Sequence, residues 1–432
     1  MIDMKKKLNI AIVGLGQIGN YLYNELNTKK KDILKKTGKI ISVSAISAKN
    51  INKKRKFKIN KKIFYKDPFK IFKNNKIDIL IEAIGQSDGI SKKIVEFALK
   101  NKIHVVTPNK ALISKHGNNL SKFAEKNKVN LEFEASVGGG IPVLRTIKEG
   151  LATNKISKVY GILNGTCNYI LSEMEETKSG FSTVLKKAQL LGYAEPGNPK
   201  LDLNGYDALA KVKILSALAF NNKVSNTKCL MEGIENIEYK DLEIANQLNY
   251  KIKLLGITEI VNNKLFERVH PCLIKKNTYI ANVNGVMNAV IIEGNPVGES
   301  ILQGEGAGPG PTSSALMSDL LSILRGNIKY PFGISDNKRK SPSIYNTDNY
   351  SNALYIRLEV KDKPGVLSEI TKKFATHKIS VQRLIQIPNN KNKTASIVII
   401  THKSLEKDYQ KCIKSFKSNK NIIKNPILLR LF

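Results

Sequence analysis

The chain runs to 432 residues, 41% of them hydrophobic and 25% charged, with a formal charge of +35; that is too long for one ordinary core and predicts a globular protein of two or three domains. It contains no stretch of roughly 18 uncharged apolar residues, so no membrane span is expected, and the opening MIDMKKKLNIAIVG leads into a short strand rather than a signal-peptide core. A charge of this size raises nucleic-acid binding, but the lysines are spread among asparagines and isoleucines along the whole chain, the pattern of solvated positions. A cytoplasmic protein with neither nucleic-acid nor membrane partner is expected.

In chain order, LNIAIVGLGQIGNYLYNEL gives an apolar run at Ile10–Val13, a glycine turn, and then Ile18, Leu22 and Leu26 on one helical face. Further apolar runs follow at Ile40–Ile46, Ile77–Ile84 and Ile103–Val106, with the helical pattern SKKIVEFALKNK between the last two. Strands alternating with helices predict a Rossmann-type doubly wound parallel sheet over residues 1–130, joined again by about 304–335. LEFEASVGGGIPVL breaks a strand at three glycines, which places a boundary near 125–140. Residues 131–303 mix helical patterns with strand-like RVHPCLI and AVIIEG and predict an α+β catalytic and dimerisation domain. GEGAGPGPT at 304–312 is a second glycine-rich loop, and residues 336–350 fall in a stretch of linker composition. Residues 351–432 alternate in the order βαββαβ, a ferredoxin-like module without a catalytic cluster, suited to sensing a ligand or to assembly.

Gly14, Gly16 and Gly19 form G-x-G-x-x-G between a strand and a helix starting near Gln17. The first glycine allows the tight turn, the second the approach of a pyrophosphate, the third helix packing, so a dinucleotide is expected there. The second strand ends AISAKN, with Ser47 and Lys49 but no carboxylate to repel a 2′-phosphate, and KKRK follows at Lys53–Lys56. NADP is therefore favoured over NAD, although a solvated lysine-rich loop would look the same. TPNKAL puts Lys110 after a parallel strand, at the ligand-binding edge of such a sheet.

The segment GYAEPGNPKLDLNGYDALAKVKIL carries the strongest chemical signal. Asp207 and Lys211 are four apart on one helix, so they share a face; Ile214, Leu215 and Leu218 continue it toward a core, while Lys200 and Lys213 fall off it into solvent. Glu195 and Asp202 precede the helix in a loop able to fold over its first turn. A protonated lysine can supply the proton that a carbonyl needs when it accepts hydride. Surplus carboxylates suit a substrate bearing an ammonium group, an amino acid. Glu134 and the glycines after it could hold a cation through backbone oxygens, and a structural bulge fits the same spacing. Cys167, Cys229, Cys272 and Cys412 are too scattered for a zinc site or a disulfide framework, and His270 reads as a satisfied core or loop histidine.

GLGQIG, TPNKAL, EASVGGGIP, NGTCNYIL, AQLLGYAEPGNPKLDLNGYDALAK, RVHP, VNGVMNAV and GEGAGPGPTSSA, in this order, resemble homoserine dehydrogenase along nearly the whole chain. The tail, with DKPGVLSEI, resembles an ACT regulatory domain. The resemblance implies NAD(P)H-dependent reduction of L-aspartate 4-semialdehyde to L-homoserine, toward threonine, methionine and isoleucine. It implies Lys211 as proton donor, Lys110 as a second essential lysine, and Glu195, Asp202 and Asp207 as substrate-binding acids. The cofactor set becomes Gly14, Gly16, Gln17, Ile18, Gly19, Ser47, Lys49, Thr107 and Lys110, joined through the resemblance by Gly192, Gly304 and Gly306. Glu134, Val137, Gly139 and Ile141 match a monovalent-cation site such as one for Na+. A homodimer or homotetramer, with threonine as a candidate effector at the ACT domain, is implied as well. Two positions depart from or bear on the pattern: Gln86 replaces the second glycine of a pair, and Gly139 stands where members carry alanine or glycine, either of which the site should accept. The alternatives are another amino-acid dehydrogenase on the same scaffold and a basic nucleic-acid-binding regulator.

Overall fold

The computed structural model describes residues 7–197, 199–389, 392–416 and 419–432. Six parallel strands, β1 (Lys7–Val13), β2 (Ile40–Ser47), β3 (Phe64–Tyr65), β4 (Ile79–Glu82), β5 (His104–Val106) and β6 (Leu131–Glu132), form one sheet in the order β3-β2-β1-β4-β5-β6. The order in which successive strands are added reverses between β1 and β4, which opens a crevice at their carboxyl ends. Strand alternation divides the first strand between two cores. Ile10 and Ile12 pack under α1 (Gln17–Thr28) and α2 (Lys30–Thr37), while Ala11 and Val13 face α3 (Lys70–Asn74), α4 (Ile90–Lys100) and α5 (Lys110–Lys126).

Beyond the short α6 (Val143–Arg145), the chain builds a second sheet from β7 (Lys155–Ile162), β8 (Leu230–Met231), β9 (Tyr250–Val261), β10 (Lys264–Lys275), β11 (Met287–Asn295) and β12 (Gly298–Glu305). One face carries α7 (Gly165–Thr177), α8 (Phe181–Leu190), α9 (Lys200–Leu203), α10 (Tyr206–Ala219) and α11 (Tyr239–Gln247). α10 is buried almost all round from Ala208 to Ala219, as a helix apolar on every side must be. The chain then returns: α12 (Pro309–Leu324) sets Leu316 and Leu320 into the core beneath α1. Lys213 is half-buried rather than wholly solvated: its ammonium donates to the Ser225 and Thr227 carbonyls at 3.1 and 3.2 Å.

The segment of linker composition is fastened down. Arg339 is 2% exposed, stacks 4.2 Å over the Phe332 ring and donates to Asp336 at 2.8 Å. Leu265 and Tyr345 exchange backbone hydrogen bonds with Ser343 and Leu265 in turn.

After the two-stranded pair β13 (Ser351–Asn352) and β17 (Ser404–Leu405), the tail comprises β14 (Leu354–Lys361), α13 (Val366–Thr376), β15 (Val381–Asn389), β16 (Thr394–Thr401), α14 (Glu406–Phe416) and β18 (Ile427–Leu431). Its strands run β18-β14-β16-β15, and β18 pairs in parallel with β10, so the tail sheet continues the central one. The join is also electrostatic: Arg357 donates to Asp241 at 2.5 and 2.8 Å, and Arg430 to Glu232 at 2.7 and 2.9 Å. His270 is the core histidine expected, 1% exposed on β10 with Nδ1 3.1 Å from the Pro271 carbonyl, but its Nε2 has no partner among the described residues. Burial, with Arg430 and Arg268 nearby, keeps the ring neutral by pushing its pKa far down.

Candidate active site

The glycine turn after β1 divides its labour as the spacing predicts. A Cβ on Gly14 would stand 2.3 Å from the Ala83 oxygen and one on Gly19 1.9 Å from the Gly14 oxygen, whereas Gly16 faces open space. Gly14 and Gly19 thus weld strand to helix, and Gly16 leaves room at the α1 N-terminus for a phosphate. Gln17 and Ile18 line the main cavity, of about 720 Å³.

That cavity lies between the carboxyl edge of the first sheet and the N-terminal ends of α7 and α10. Its wall includes Lys110, Gly139, Asn164, Gly192, Asp202, Asp207, Lys211 and Gly306. Lys211 is 8% exposed, and its Nζ donates to the Leu163 carbonyl at 2.6 Å and to Asp207 Oδ2 at 2.8 Å. Asp207 Oδ1 pairs with Lys110 Nζ at 3.0 Å. One carboxylate therefore bridges two ammoniums. Burial alone would raise the Asp207 pKa, but Lys211 and then Lys110 outweigh it and hold the carboxyl well below its usual range. Asp207 in turn raises Lys110. Asp202 behaves in the opposite way: burial first, and repulsion from Asp207 second, push its pKa up.

Two residues that pattern reading did not single out hold this arrangement. Asn164, at the end of the β7 segment, donates to Asp202 Oδ1 at 2.8 Å and to Asp207 Oδ2 at 3.0 Å. Glu82, fully buried at the end of β4, accepts from Ile84 N, Ser91 and Thr107 at 2.8, 3.0 and 2.6 Å. It also accepts from Asn109 Nδ2 at 3.3 Å, and Asn109 caps α5 just before Lys110. The signal available for both was a polar residue at the carboxyl end of an apolar strand, just ahead of a glycine turn or a helix.

Thr107 spends its hydroxyl on Glu82 and is absent from the cavity wall. Gln86 offers Asn109 only its carbonyl, at 2.8 Å, and its side chain is exposed, so the missing glycine changes little here. Gly304 lies on β12 outside the wall, and a Cβ there would meet Ile141 at 3.1 Å. A Cβ on Gly139 would approach the Gly306 oxygen to 2.5 Å, so this chain has no space for the alanine expected to be accepted there. Glu195 is exposed and outside the wall, on the loop whose Leu191, Gly192 and Tyr193 rim the cavity.

Ser47 and Lys49 do not line a cavity either: Ser47 is 2% exposed with its carbonyl accepting from Gly14 N, and Lys49 points to solvent. The basic wall is supplied instead by Lys53, Lys54, Arg55 and Lys56, around a cavity of about 600 Å³ beside Gly16 and Gln17. Arg55 spends most of its donors on the Leu15, Asn50, Ile51 and Lys53 carbonyls, which shapes the loop and leaves the lysines free to meet an anion.

At the cation-type segment, Glu134 is 3% exposed and its two oxygens accept from Leu144 N and Arg145 N, each at 2.8 Å. Burial raises its pKa against the pull of Lys148. Ile141 O accepts from Val143 N at 2.8 Å, while no described donor is recorded on the Val137 or Gly139 carbonyl. Both Glu134 oxygens accept backbone N–H bonds, so a small cation here would meet chiefly the Val137 and Gly139 carbonyls. No group of three or more His, Cys, Asp or Glu able to hold a metal occurs among the described residues.

Comparison with known proteins supplies the family. The model "Homoserine dehydrogenase, NAD binding domain" matches residues 14–134, "Homoserine dehydrogenase" residues 142–321, and "ACT domain" residues 354–419. A homoserine dehydrogenase of Neisseria gonorrhoeae is 37% identical over 99% of both chains, and one of Bacillus subtilis 32% identical over 95% of both. A crystal structure of a homoserine dehydrogenase from Thiobacillus denitrificans superposes over 99% of both chains with a TM-score of 0.90 at 34% identity. One from S. aureus gives 0.75 at 31%, again over 99% of both. With the nucleotide crevice and the lysine–carboxylate cavity in place, the chain belongs to the homoserine dehydrogenase family and carries a C-terminal ACT domain.

Proposed function

We propose that the chain interconverts L-aspartate 4-semialdehyde and L-homoserine with a nicotinamide dinucleotide, preferring NADP(H), as a step toward threonine, methionine and isoleucine. The observation that carries the reading is Lys211, fixed at Leu163 O and Asp207 while facing the cavity. An ammonium has three N–H groups, so one remains to meet the substrate oxygen. When bound, the nicotinamide supplies or accepts the hydride. Lys211 gives its proton to the oxygen that becomes alkoxide as the aldehyde is reduced. Lys110, on the same carboxylate, adds positive charge on the cofactor side. Asp207 is occupied by lysines, which leaves Asp202 Oδ2 as the carboxylate oxygen for the substrate ammonium, with Glu195 adding negative charge at the mouth.

NADP preference rests on Lys53, Lys54 and Lys56 beside the phosphate turn, rather than on Ser47 and Lys49. Glu134, Val137, Gly139 and Ile141 are proposed to hold a monovalent cation that ties the GGG turn to the Gly306 loop. Assembly as a dimer or tetramer and threonine binding to the ACT domain are read from the family. The deciding experiment is the initial rate of L-homoserine oxidation with NADP+ and NAD+ side by side. A rate with NADP+ that is abolished by Lys211→Ala supports the reading; no rate with either nucleotide, in either direction, sinks it. Threonine that leaves the rate unchanged at every concentration removes the effector.

A further inference from the structure

We propose that Asn164 is a positioning residue that locks Asp202 and Asp207 into one arrangement, its amide forming a neutral bridge between the two carboxylates. The geometry is over-determined. Asn164 is 4% exposed, and its Oδ1 accepts from Cys167 N at 2.8 Å, capping α7. That bond fixes which end of the amide is oxygen, so the NH₂ group must face the acids. Both of its hydrogens are used, one on each carboxylate, at 2.8 and 3.0 Å. Two buried acids otherwise repel each other, and a neutral double donor offsets that without a counter-charge. With Asp207 so fixed, Oδ2 serves Lys211 and Oδ1 serves Lys110. Asp202 keeps only one oxygen tied.

The groups facing Asp202 are few. They are Asp207 and Lys211 on α10, Lys110 on α5 and Cys167 on α7, whose thiol donates to the Asp202 carbonyl at 3.3 Å. Asn164, a neutral side chain, pulls Asp202 toward its ionised form. Its loss should free Asp207 to drift from Lys211 and leave Asp202 harder to ionise.

The inference rests on the proposed dehydrogenase reading for its kinetic test, and a second test does not. Asn164→Ser and Asn164→Asp both retain a side-chain oxygen able to cap α7; the first deletes the bridge, the second replaces it with a third carboxylate. For homoserine oxidation, kcat/KM should fall roughly 10-fold in Asn164→Ser, and the acid limb of its pH profile should move to higher pH, further in Asn164→Asp. An equal loss at every pH, or profiles that superimpose on wild type, would overturn the bridge. The substrate-free test is melting temperature against pH. A carboxyl whose folded pKa is raised holds protons that the unfolded chain has released, so its contribution to stability is lost as pH rises above the unfolded value. The deficit of Asn164→Ser relative to wild type should therefore widen from acid to neutral pH, and a constant deficit would mark a cap alone. Wild type inactive on homoserine would sink the substrate and leave the melting series to decide Asn164. Should Asn164→Asp not fold, the serine variant carries both tests.

Discussion

Asp207→Asn isolates the central electrostatic claim, because it keeps the shape and removes the charge between two ammoniums. In the wild type its oxygens lie 2.8 Å from Lys211 Nζ and 3.0 Å from Lys110 Nζ. Removing one partner of a buried ion pair costs about 3–5 kcal/mol. The Lys110 side chain is 39% exposed, so solvent recovers much of its half, whereas that of Lys211 is 10% exposed and cannot recover its share. About 3 kcal/mol therefore falls on the Lys211 side, or roughly a 150-fold loss in kcat/KM where the lysine meets the transition state. The asparagine also turns an N–H toward the Asn164 amide or toward a lysine, which weakens its hold on either. The assay is homoserine oxidation at saturating nucleotide, with circular dichroism to confirm the fold. A second readout fixes the sign: the folded Asp207 pKa is depressed, so its stabilisation exists above the unfolded value and is lost in acid. The melting-temperature gap between wild type and variant should close as pH falls below about 3.9. Activity within about threefold of wild type would show that Lys211 does not depend on Asp207 and would refute the reasoning.

Glu82→Gln should raise KM for the nucleotide by roughly 10-fold with little change in kcat, since an amide cannot accept at every position where Glu82 does; unchanged nucleotide binding by fluorescence titration would count against a role in placing the TPNK turn. Lys53→Glu with Lys54→Glu should weaken NADP+ and spare NAD+, tested by paired KM measurements, and equal losses would discard the phosphate reading. Lys253 is held by Val283 O, Asn168 Oδ1 and Asn284 Oδ1, and burial, then Lys251, lowers its pKa to about 8. A folded lysine pKa below the unfolded one makes stability rise with pH between the two values. Wild type should thus gain melting temperature relative to Lys253→Met from about pH 8 to the ordinary lysine value, and parallel curves would refute it.

What the sequence disclosed follows from the range of the forces involved. The glycine turn, the alternation of strands with helices and the Asp207–Lys211 pair were legible because each depends on local spacing: a Cβ clash at a tight turn, the period of the apolar pattern, or one helical turn. The burial of Ser47 was not legible because it depends on the hydrogen bond that its carbonyl accepts from Gly14, 33 positions earlier, a contact no local pattern reports. Arg339 hid in a stretch of linker composition because polar residues look alike whether they meet water or the Phe332 ring. Glu195 looked equivalent to Asp202 in a list of acids, but Pro196 and Gly197 carry its loop outside the wall while α9 turns Asp202 inward.

The same distinction explains why the bridging residues escaped a reading that found the residues they serve. Lys211 and Asp207 are conspicuous because charge is scarce in an apolar helix. Asn164 and Glu82 are single polar residues at the ends of apolar strands and matter only through partners on other elements: Asn164 reaches Asp202 and Asp207, 38 and 43 positions away, and Glu82 reaches Thr107, 25 positions away. A carboxylate that balances two lysines has no unique position by itself, because Coulomb attraction is nearly isotropic, whereas hydrogen bonds to a fixed amide are directional. The charges thus supply the chemistry of the cavity, and the neutral or uncompensated groups behind them supply its geometry. That division makes the pH profiles of the Asn164 variants, rather than their residual rates, the more discriminating readout of how this pocket is built.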